Sequence, residues 1–360
     1  MTNNFEKLEN ITKYFINSTN IIVMHDFFLD RIIRLGSMTE IFCSLMEKAR
    51  VGGGSIREGI STVDIKGGNA VNVAYCLAKL GFNVTLFTVA DEMGSAILNH
   101  TFSKLKDKVE LVIKPGTHGL TTTFEFANEK GTCVNVMMNS VGDNADFGPD
   151  RISSDDELRI LQNAKAVAVV NWGSNSKGTK LAEYAFKNSP KALHFMDPAD
   201  FGKRKEEFRN TLTTIAEFTN VISINENECN CLAQATGLES QLTESEGEYS
   251  HSDMKFVVKN LREKVGINID LHTFMGAAWS NGIDTYYADA FKVIPRRTTG
   301  AGDCWDAADI IGYLVGLGAR ERLIFSNACA SLYISNTRPE PPSMSQVLEL
   351  LSNNQLVYAE

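Results

Sequence analysis

The sequence predicts an α/β protein organised on a doubly wound parallel sheet, and three observations carry that expectation. Short continuous apolar runs recur, among them Ile21-Ile22-Val23-Met24 and the stretches 84–89 and 166–170; without polar alternation they suit strands covered on both faces. From Asp155 onward such runs alternate regularly with helical stretches, the rhythm of βαβ units. Polar residues follow the runs, at Asp26 and Asp30 (each also readable as a turn or N-cap residue), Asn171, Asp197 and Asn225. That places them at the strands' carboxyl ends, where open α/β sheets bind ligands.

Composition narrows the class. With 360 residues the chain can bury a large core, as one large domain with an appendage or as two modest ones. Hydrophobic content of 43% and charged content of 22% are those of a soluble globular protein. A formal net charge of -9 argues against general nucleic-acid or anionic-membrane partners. The seven cysteines are scattered and odd in number, so no disulfide framework is expected. Cys229 and Cys231 lack a second pair at metal-ligand spacing and read as idle thiols. Residues 1–20 carry no apolar targeting core, and no apolar run reaches the roughly 18 residues that cross a bilayer. A reduced cytoplasmic setting follows.

In chain order, Phe5, Leu8, Ile11 and Phe15 have helical spacing and predict a short leading helix over 5–16. Residues 32–64 are the least regular stretch. Ile41, Leu45 and Met46 share one face of a helix over 38–48, while Gly52-Gly53-Gly54 reads as a turn without the Gly-Lys-Ser/Thr ending of a phosphate loop. Gly67-Gly68 leads into a helix over 70–80, with Gly81 as its C-cap. The run at 84–89 and a helix over 94–105 follow. Alternation at Phe124, Phe126, Val134 and Val136 around Asn128-Glu129-Lys130-Gly131 marks an antiparallel hairpin. Helices over 156–163, 179–187 and from 205 to 212 separate strands at 166–170, 193–196 and 221–224. The Glu-, Ser- and Thr-rich stretch 238–253 reads as an exposed insertion. A strand over 269–275 enters a small-residue turn at Gly276-Ala277-Ala278, short antiparallel strands cover 286–293, and helices at 323–335 and 345–351 close the chain.

One stretch gathers the chemistry. Arg297-Thr298-Thr299-Gly300-Ala301-Gly302-Asp303 runs into an apolar helical segment over 307–317. Two close glycines let the backbone take positive φ and approach a ligand without Cβ atoms in the way. Helix-opening amides and the dipole's positive end suit an anion such as phosphate. Asp303, in the first turn, either caps the helix or takes a proton from a hydroxyl attacking that phosphate. Asn69 and Asn72 open the helix after Gly67-Gly68, where an amide either caps or hydrogen-bonds a polyhydroxy ligand.

Three separated motifs fall into one order: Gly67-Gly68-Asn69-Ala70-Val71-Asn72, Asn225-Glu226-Asn227-Glu228 and Thr298-Thr299-Gly300-Ala301-Gly302-Asp303. Together they resemble the ribokinase-like, or PfkB, family of carbohydrate and nucleoside kinases over roughly residues 21–351. The resemblance implies one kinase domain over 1–360, with a three-layer α/β/α Rossmann-like core and a small β-sheet lid from parts of 32–64 and 120–140. It implies ATP- and Mg²⁺-dependent phosphoryl transfer to a hydroxyl of a small sugar or sugar acid. Asp303 matches the family's general base, and Gly300, Ala301 and Gly302 match its anion hole. Asn225 and Glu228 match the element that organises Mg²⁺ through water. Asp30, Gly68 and Asn72 stand where the family binds the acceptor, and Asn225, Gly276 and Thr299 where the nucleotide passes. Three matters stay open within the resemblance. ADP is an alternative donor. Nucleosides are another acceptor class, with Phe28, Phe124, Phe126 and Trp172 as aromatics able to stack on a base. A non-catalytic sugar-binding protein on the same fold is the third reading. Lid edges in the family often pair, which implies a homodimer through the lid. The chain also departs from the pattern. Arg297 replaces an Asp that helps many members bind a monovalent cation, so no K⁺ requirement is expected. Phe28 and Gly173 stand where ribokinases proper carry polar or acidic residues.

Overall fold

Ile21-Ile22-Val23-Met24 is buried on both sides, as its unbroken hydrophobicity requires. The computed structural model describes residues 20–127, 133–238 and 250–353. Its strands are β1 (Asn20–His25), β2 (Phe28–Leu35), β3 (Ile60–Gly67), β4 (Asn83–Ala90), β5 (Val109–Pro115), β6 (Gly119–Ala127), β7 (Cys133–Ser140), β8 (Ala166–Val170), β9 (Leu193–Asp197), β10 (Val221–Ile224), β11 (Asn268–His272), β12 (Gly276–Ser280) and β13 (Thr285–Asp289). Nine of them form one sheet in the order β13-β12-β11-β10-β9-β8-β1-β4-β5. From β5 to β11 neighbours run parallel, and β12 and β13 return antiparallel.

Alternate side chains of β1 enter two cores. Ile21 and Val23 pack with the helices Asn69–Lys79, Ala301–Leu314 and Ala319–Ser335, while Ile22 and Met24 pack with Gly178–Lys187, Lys205–Ile215 and His251–Val265. This is the expected α/β/α sandwich, with helices on both faces of a mostly parallel sheet. Arg322, 1% exposed, hydrogen-bonds Asp270 on β11 at 2.9 Å and Asp309 on the Ala301–Leu314 helix. It ties the helix that opens at Gly300 to the sheet. The thiols of Cys76, Cys304 and Cys329 meet in the first core, with Sγ–Sγ separations of 3.3 and 3.4 Å. Cys43, Cys76, Cys229, Cys231, Cys304 and Cys329 are free, and no helix among the described residues is long and apolar enough to cross a membrane.

A second sheet of four strands is ordered β3-β2-β6-β7, and its strands β2 and β6 begin just past the carboxyl ends of β1 and β5. Its strands extend beyond the expected stretches: β2 begins at Phe28 and β3 ends at Gly67. The irregular residues between them hold the Met38–Arg50 helix, capped by the Ser37 hydroxyl, which accepts the Glu40 N–H at 3.3 Å. That helix buries no residue, and Phe42 and Leu45 on it are exposed.

Three elements differ from expectation. β5 was not legible because Glu110 and Lys114 interrupt its apolar run, which an edge strand with one open side tolerates. The His251–Val265 helix starts inside the predicted insertion, capped by Ser250, which accepts the Asp253 N–H at 3.1 Å. Gly276-Ala277-Ala278 is strand β12 rather than a turn; a Cβ on Gly276 would lie 2.3 Å from the Ala288 carbonyl oxygen, so the small residue admits a close strand. The predicted leading helix over 5–16, the hairpin turn at 128–131 and residues 239–249 of the insertion lie outside the described residues.

Candidate active site

The chain leaves β1 toward β4 and β5 and returns at β8 on its other side, so the β1–β8 boundary is the sheet's switch point. Asp26 follows β1 and Asn171 follows β8, and the Asn171 amide donates to Asp26 at 2.8 Å across that boundary. The fully buried Asp26 carboxylate also accepts the N–H groups of Asn69 and Ala70, each at 2.9 Å. Gly68, at φ 92, opens the Asn69–Lys79 helix without a capping side chain. A Cβ there would lie 2.8 Å from the Asp26 carbonyl oxygen. Glycine permits the close approach, and Asp26 supplies the missing cap from another element. Asp26 is therefore a cap in trans, one of the readings open for it in the sequence.

A second helix start faces the first. Gly300, at φ 84, precedes the Ala301–Leu314 helix, and a Cβ on it would lie 2.6 Å from the Tyr333 hydroxyl. The Ala301 N–H turns back to the Thr298 carbonyl at 3.1 Å, and the Cys304 N–H bonds Gly300 at 3.1 Å. The amides of Gly302 and Asp303 are thus the two left without an intrahelical acceptor. Thr299 is exposed, and its carbonyl accepts the Tyr333 hydroxyl at 3.2 Å. Asp303 is 7% exposed. Its Oδ2 accepts the Asn72 Nδ2 amide at 2.9 Å, and Asn72 Oδ1 in turn accepts the Lys66 ammonium at 2.7 Å. Burial holds the Asp303 carboxyl well above the usual carboxylate range; the Asn72 hydrogen bond and the Lys66 charge oppose this, while Asp197 and Asp26 add to it.

Further carboxylates crowd the ends of β9 and β10. Asp197 is pushed up to about 6, mainly by burial. Asp306, one turn after Asp303, is raised well above the usual range by burial and by Asp197; Ser223 donates to its Oδ1 at 2.5 Å. No N–H or hydroxyl donor among the described residues reaches Asp306 Oδ2, and the Asp306 carboxyl lies within hydrogen-bonding reach of Asp197. Asn225 and Glu228 form a reciprocal capping box at the start of the Glu226–Ala235 helix. Asn225 Oδ1 accepts the Glu228 N–H at 3.0 Å, and the Glu228 carboxylate accepts the Asn225 N–H at 2.9 Å and its side-chain amide at 2.7 Å. Burial and the Asp197 charge raise the Glu228 carboxyl well above its ordinary value. Hard oxygen donors crowded until their carboxyls are raised, as at Asp197, Asp306 and Glu228, suit Mg²⁺. The capping box already engages Asn225 and Glu228, which suits contact through water rather than direct ligation.

The arrangement brings Asp303, Gly300, Ala301, Gly302 and Asn72 together, with Gly68 at the start of the helix that carries Asn72. Asp30 lies on strand β2 of the small sheet rather than at the end of β1. Burial raises its carboxyl, opposed by a hydrogen bond from Thr121, and Asp26 and Lys66 are its charged neighbours. A Cβ on Gly67 would lie 2.2 Å from the Asp30 carboxylate, which explains that glycine. Gly276 needs no nucleotide to account for it, given its contact with β13. Trp172 is fully buried against Phe208 at 5.0 Å, with the Arg204 guanidinium 4.1 Å from its ring, so it offers no face to a base. Phe28 is likewise buried. Arg297 donates to the carbonyls of Asn336 at 3.2 Å and Thr337 at 2.6 Å, just past the Ala319–Ser335 helix. Lys66 and Asp306 were not singled out as site residues from the sequence, nothing there marked Lys66, and Asp197 stood out only as a polar residue at a strand's end. Asp197 ends an apolar run, and Asp306 shares a helical face with Asp303.

The profile of the pfkB family carbohydrate kinases matches residues 30–345. The 5-dehydro-2-deoxygluconokinase of Listeria innocua is 24% identical over 297 residues, covering 80% of this chain and 86% of its own. The Bacillus subtilis protein of the same name is 22% identical over 300 residues, covering 79% and 87%. Among solved structures, an Arabidopsis thaliana ribokinase complexed with ribose and ATP superposes with a TM-score of 0.70 at 19% identity, covering 93% of this chain and 98% of that one. The family match spans nearly all of the described sandwich and both facing helix starts, and the chain belongs to the pfkB family of carbohydrate kinases.

Proposed function

We propose that this kinase transfers the γ-phosphoryl group of ATP to a hydroxyl of a small sugar or sugar acid, with Asp303 as general base. The observation that carries this reading is the buried Asp303 carboxylate, held by Asn72 beside the open amides of Gly302 and Asp303. The acceptor hydroxyl gives its proton to Asp303 as its oxygen bonds to the γ-phosphorus. The bond to the β–γ bridging oxygen breaks, and ADP leaves. The two open amides and the helix dipole stabilise charge on the phosphoryl oxygens, so catalysis rests on positioning and electrostatics. Asn225 and Glu228 would hold Mg²⁺ through water, with Asp197 and Asp306 adding negative charge; when bound it offsets charge on the β- and γ-phosphates. Asp30, Gly68 and Asn72 would line the acceptor's side, and Thr299 the nucleotide's.

Two further parts belong to the same reading. The Arg297 guanidinium, bonded to two backbone carbonyls, takes the place of a monovalent cation, and catalysis needs no K⁺. The exposed apolar residues of the small sheet, Val136, Met137 and Met138, pair with a second copy of the chain. Because both curated relatives are named for a sugar acid, the test is a panel of sugars, sugar acids and nucleosides that includes 5-dehydro-2-deoxygluconate, with ATP and ADP as donors. ATP-dependent phosphorylation of a sugar or sugar acid supports the proposal. Turnover confined to nucleosides, or none across the panel, contradicts it.

A further inference from the structure

We propose that Lys66 is a positioning residue for phosphoryl transfer: through Asn72, it keeps Asp303 an ionised carboxylate aimed as a base. The inference rests on the reading of Asp303 as base. The geometry is a two-step relay from strand β3 to the Asn69–Lys79 helix to the Ala301–Leu314 helix. Lys66 Nζ donates to Asn72 Oδ1 at 2.7 Å, and Asn72 Nδ2 donates to Asp303 Oδ2 at 2.9 Å.

An ammonium only donates, so it must meet the amide's oxygen. That fixes the amide's other end, and Asp303 is presented with N–H donors, which favour its charged form. Without Lys66 the amide is free to rotate by half a turn. Its oxygen would then face Asp303 and favour the protonated acid, which cannot act as a base. Lys66 is held in place as well: its ammonium lies 4.6 Å from the centre of the Tyr75 ring, and the Tyr75 hydroxyl donates to Glu340 at 3.2 Å. Tyr75 sits on the same helix as Asn72, so one element carries both the relay and its clamp.

The surroundings explain why a relay is needed. Asp26 after β1 and Asp197 at the end of β9 face Asp303 with negative charge, and Asp306 lies one turn on along the same helix. Tyr333, raised to about 12 chiefly by burial, stays a neutral phenol. His272, packed against Gly302, is lowered to about 4 by burial and stays neutral. Among the described residues Lys66 is the cation whose charge bears on Asp303, while Arg297 lies beside Tyr333; burial lowers the proton affinity of Lys66, and Asp303, Cys76, Glu340 and Asp30 sustain it.

The test follows the ionisation of Asp303 in the unliganded protein. Aspartate labelled with ¹³C at the carboxyl carbon is titrated by NMR, and the Asp303 signal is assigned by its absence in Asp303→Asn. In Lys66→Met and Lys66→Leu, which offer no donor to Asn72, the midpoint is expected about one pH unit higher than in wild type, with Lys66→Arg restoring the wild-type value. An unmoved midpoint in the two neutral variants, or an equal rise in Lys66→Arg, overturns the relay. Should one neutral variant not fold, the other reads the same quantity. Turnover of Asp303→Asn is measured separately: if it stays at the wild-type level the base reading fails, whereas loss of turnover beside an unmoved midpoint removes only the relay.

Discussion

Replacing Asp26 by Ala takes away the carboxylate that accepts the N–H groups of Asn69 and Ala70 and the amide of Asn171. All three donors lose their acceptor in a buried site, and each such loss costs about 1–3 kcal/mol. The three are neighbours and do not add fully. Removing one negative charge from the group that includes Asp30, Asp197 and Asp303 also returns part of the loss. The unsatisfied donors win, because the remaining repulsion is shared among several partners while the donors have no alternative, and a net cost of about 3 kcal/mol follows. With an unfolding entropy of about 2.1 cal/mol/K per residue, a chain of 360 residues melts about 4 °C lower. Asp26→Asn keeps the volume and one acceptor oxygen and is expected to lose about half as much. Because Asn72 rides on the first turn of the uncapped helix, turnover of Asp26→Ala is expected to fall about a hundredfold through misplacement. Thermal melts and steady-state turnover, side by side, read both effects. A melting temperature within about 1 °C of wild type, with turnover within about threefold, would refute the trans-capping argument.

Rates measured in Na⁺, K⁺ and tetramethylammonium buffers of equal ionic strength are expected to agree, because Arg297 already occupies the carbonyls of Asn336 and Thr337; strong K⁺ activation would contradict that. Glu228→Ala is expected to raise the Mg²⁺ concentration needed for half-maximal rate, since the capping box and the nearby carboxylate are lost together, and an unchanged Mg²⁺ titration would remove Glu228 from that role. Light scattering is expected to give the mass of two chains, and Met138→Lys on the small sheet's exposed strand to shift it to one; a monomeric wild type would rule out pairing through that sheet.

The sandwich was legible because its strands are apolar on both faces, so Ile21 to Met24 and Ala166 to Val170 declare themselves without alternation. The edge strand β5 was not, since Glu110 and Lys114 break the run on its open side. The two glycine-opened helices were legible for a different reason: Gly68 and Gly300 stand where no Cβ fits, and polar residues follow each. What one chain could not show was pairing between distant side chains. Asn72 looked like an acceptor ligand or a cap, yet its amide is engaged by Lys66 and Asp303. Asp26 and Asp30, four residues apart, part company because the chain passes from one sheet to the other between them. Gly276, expected where a nucleotide passes, also meets a steric need, because the approach of β13 leaves no room for a Cβ there.

Turnover of Asp303→Asn tests the account most directly. The substitution keeps the side chain's size and an oxygen to accept the Asn72 amide, and removes proton acceptance. Turnover is expected to fall by about 10²–10⁴-fold while ATP binding, read by calorimetry, survives. A variant within about tenfold of wild type would remove Asp303 from the centre of the reaction.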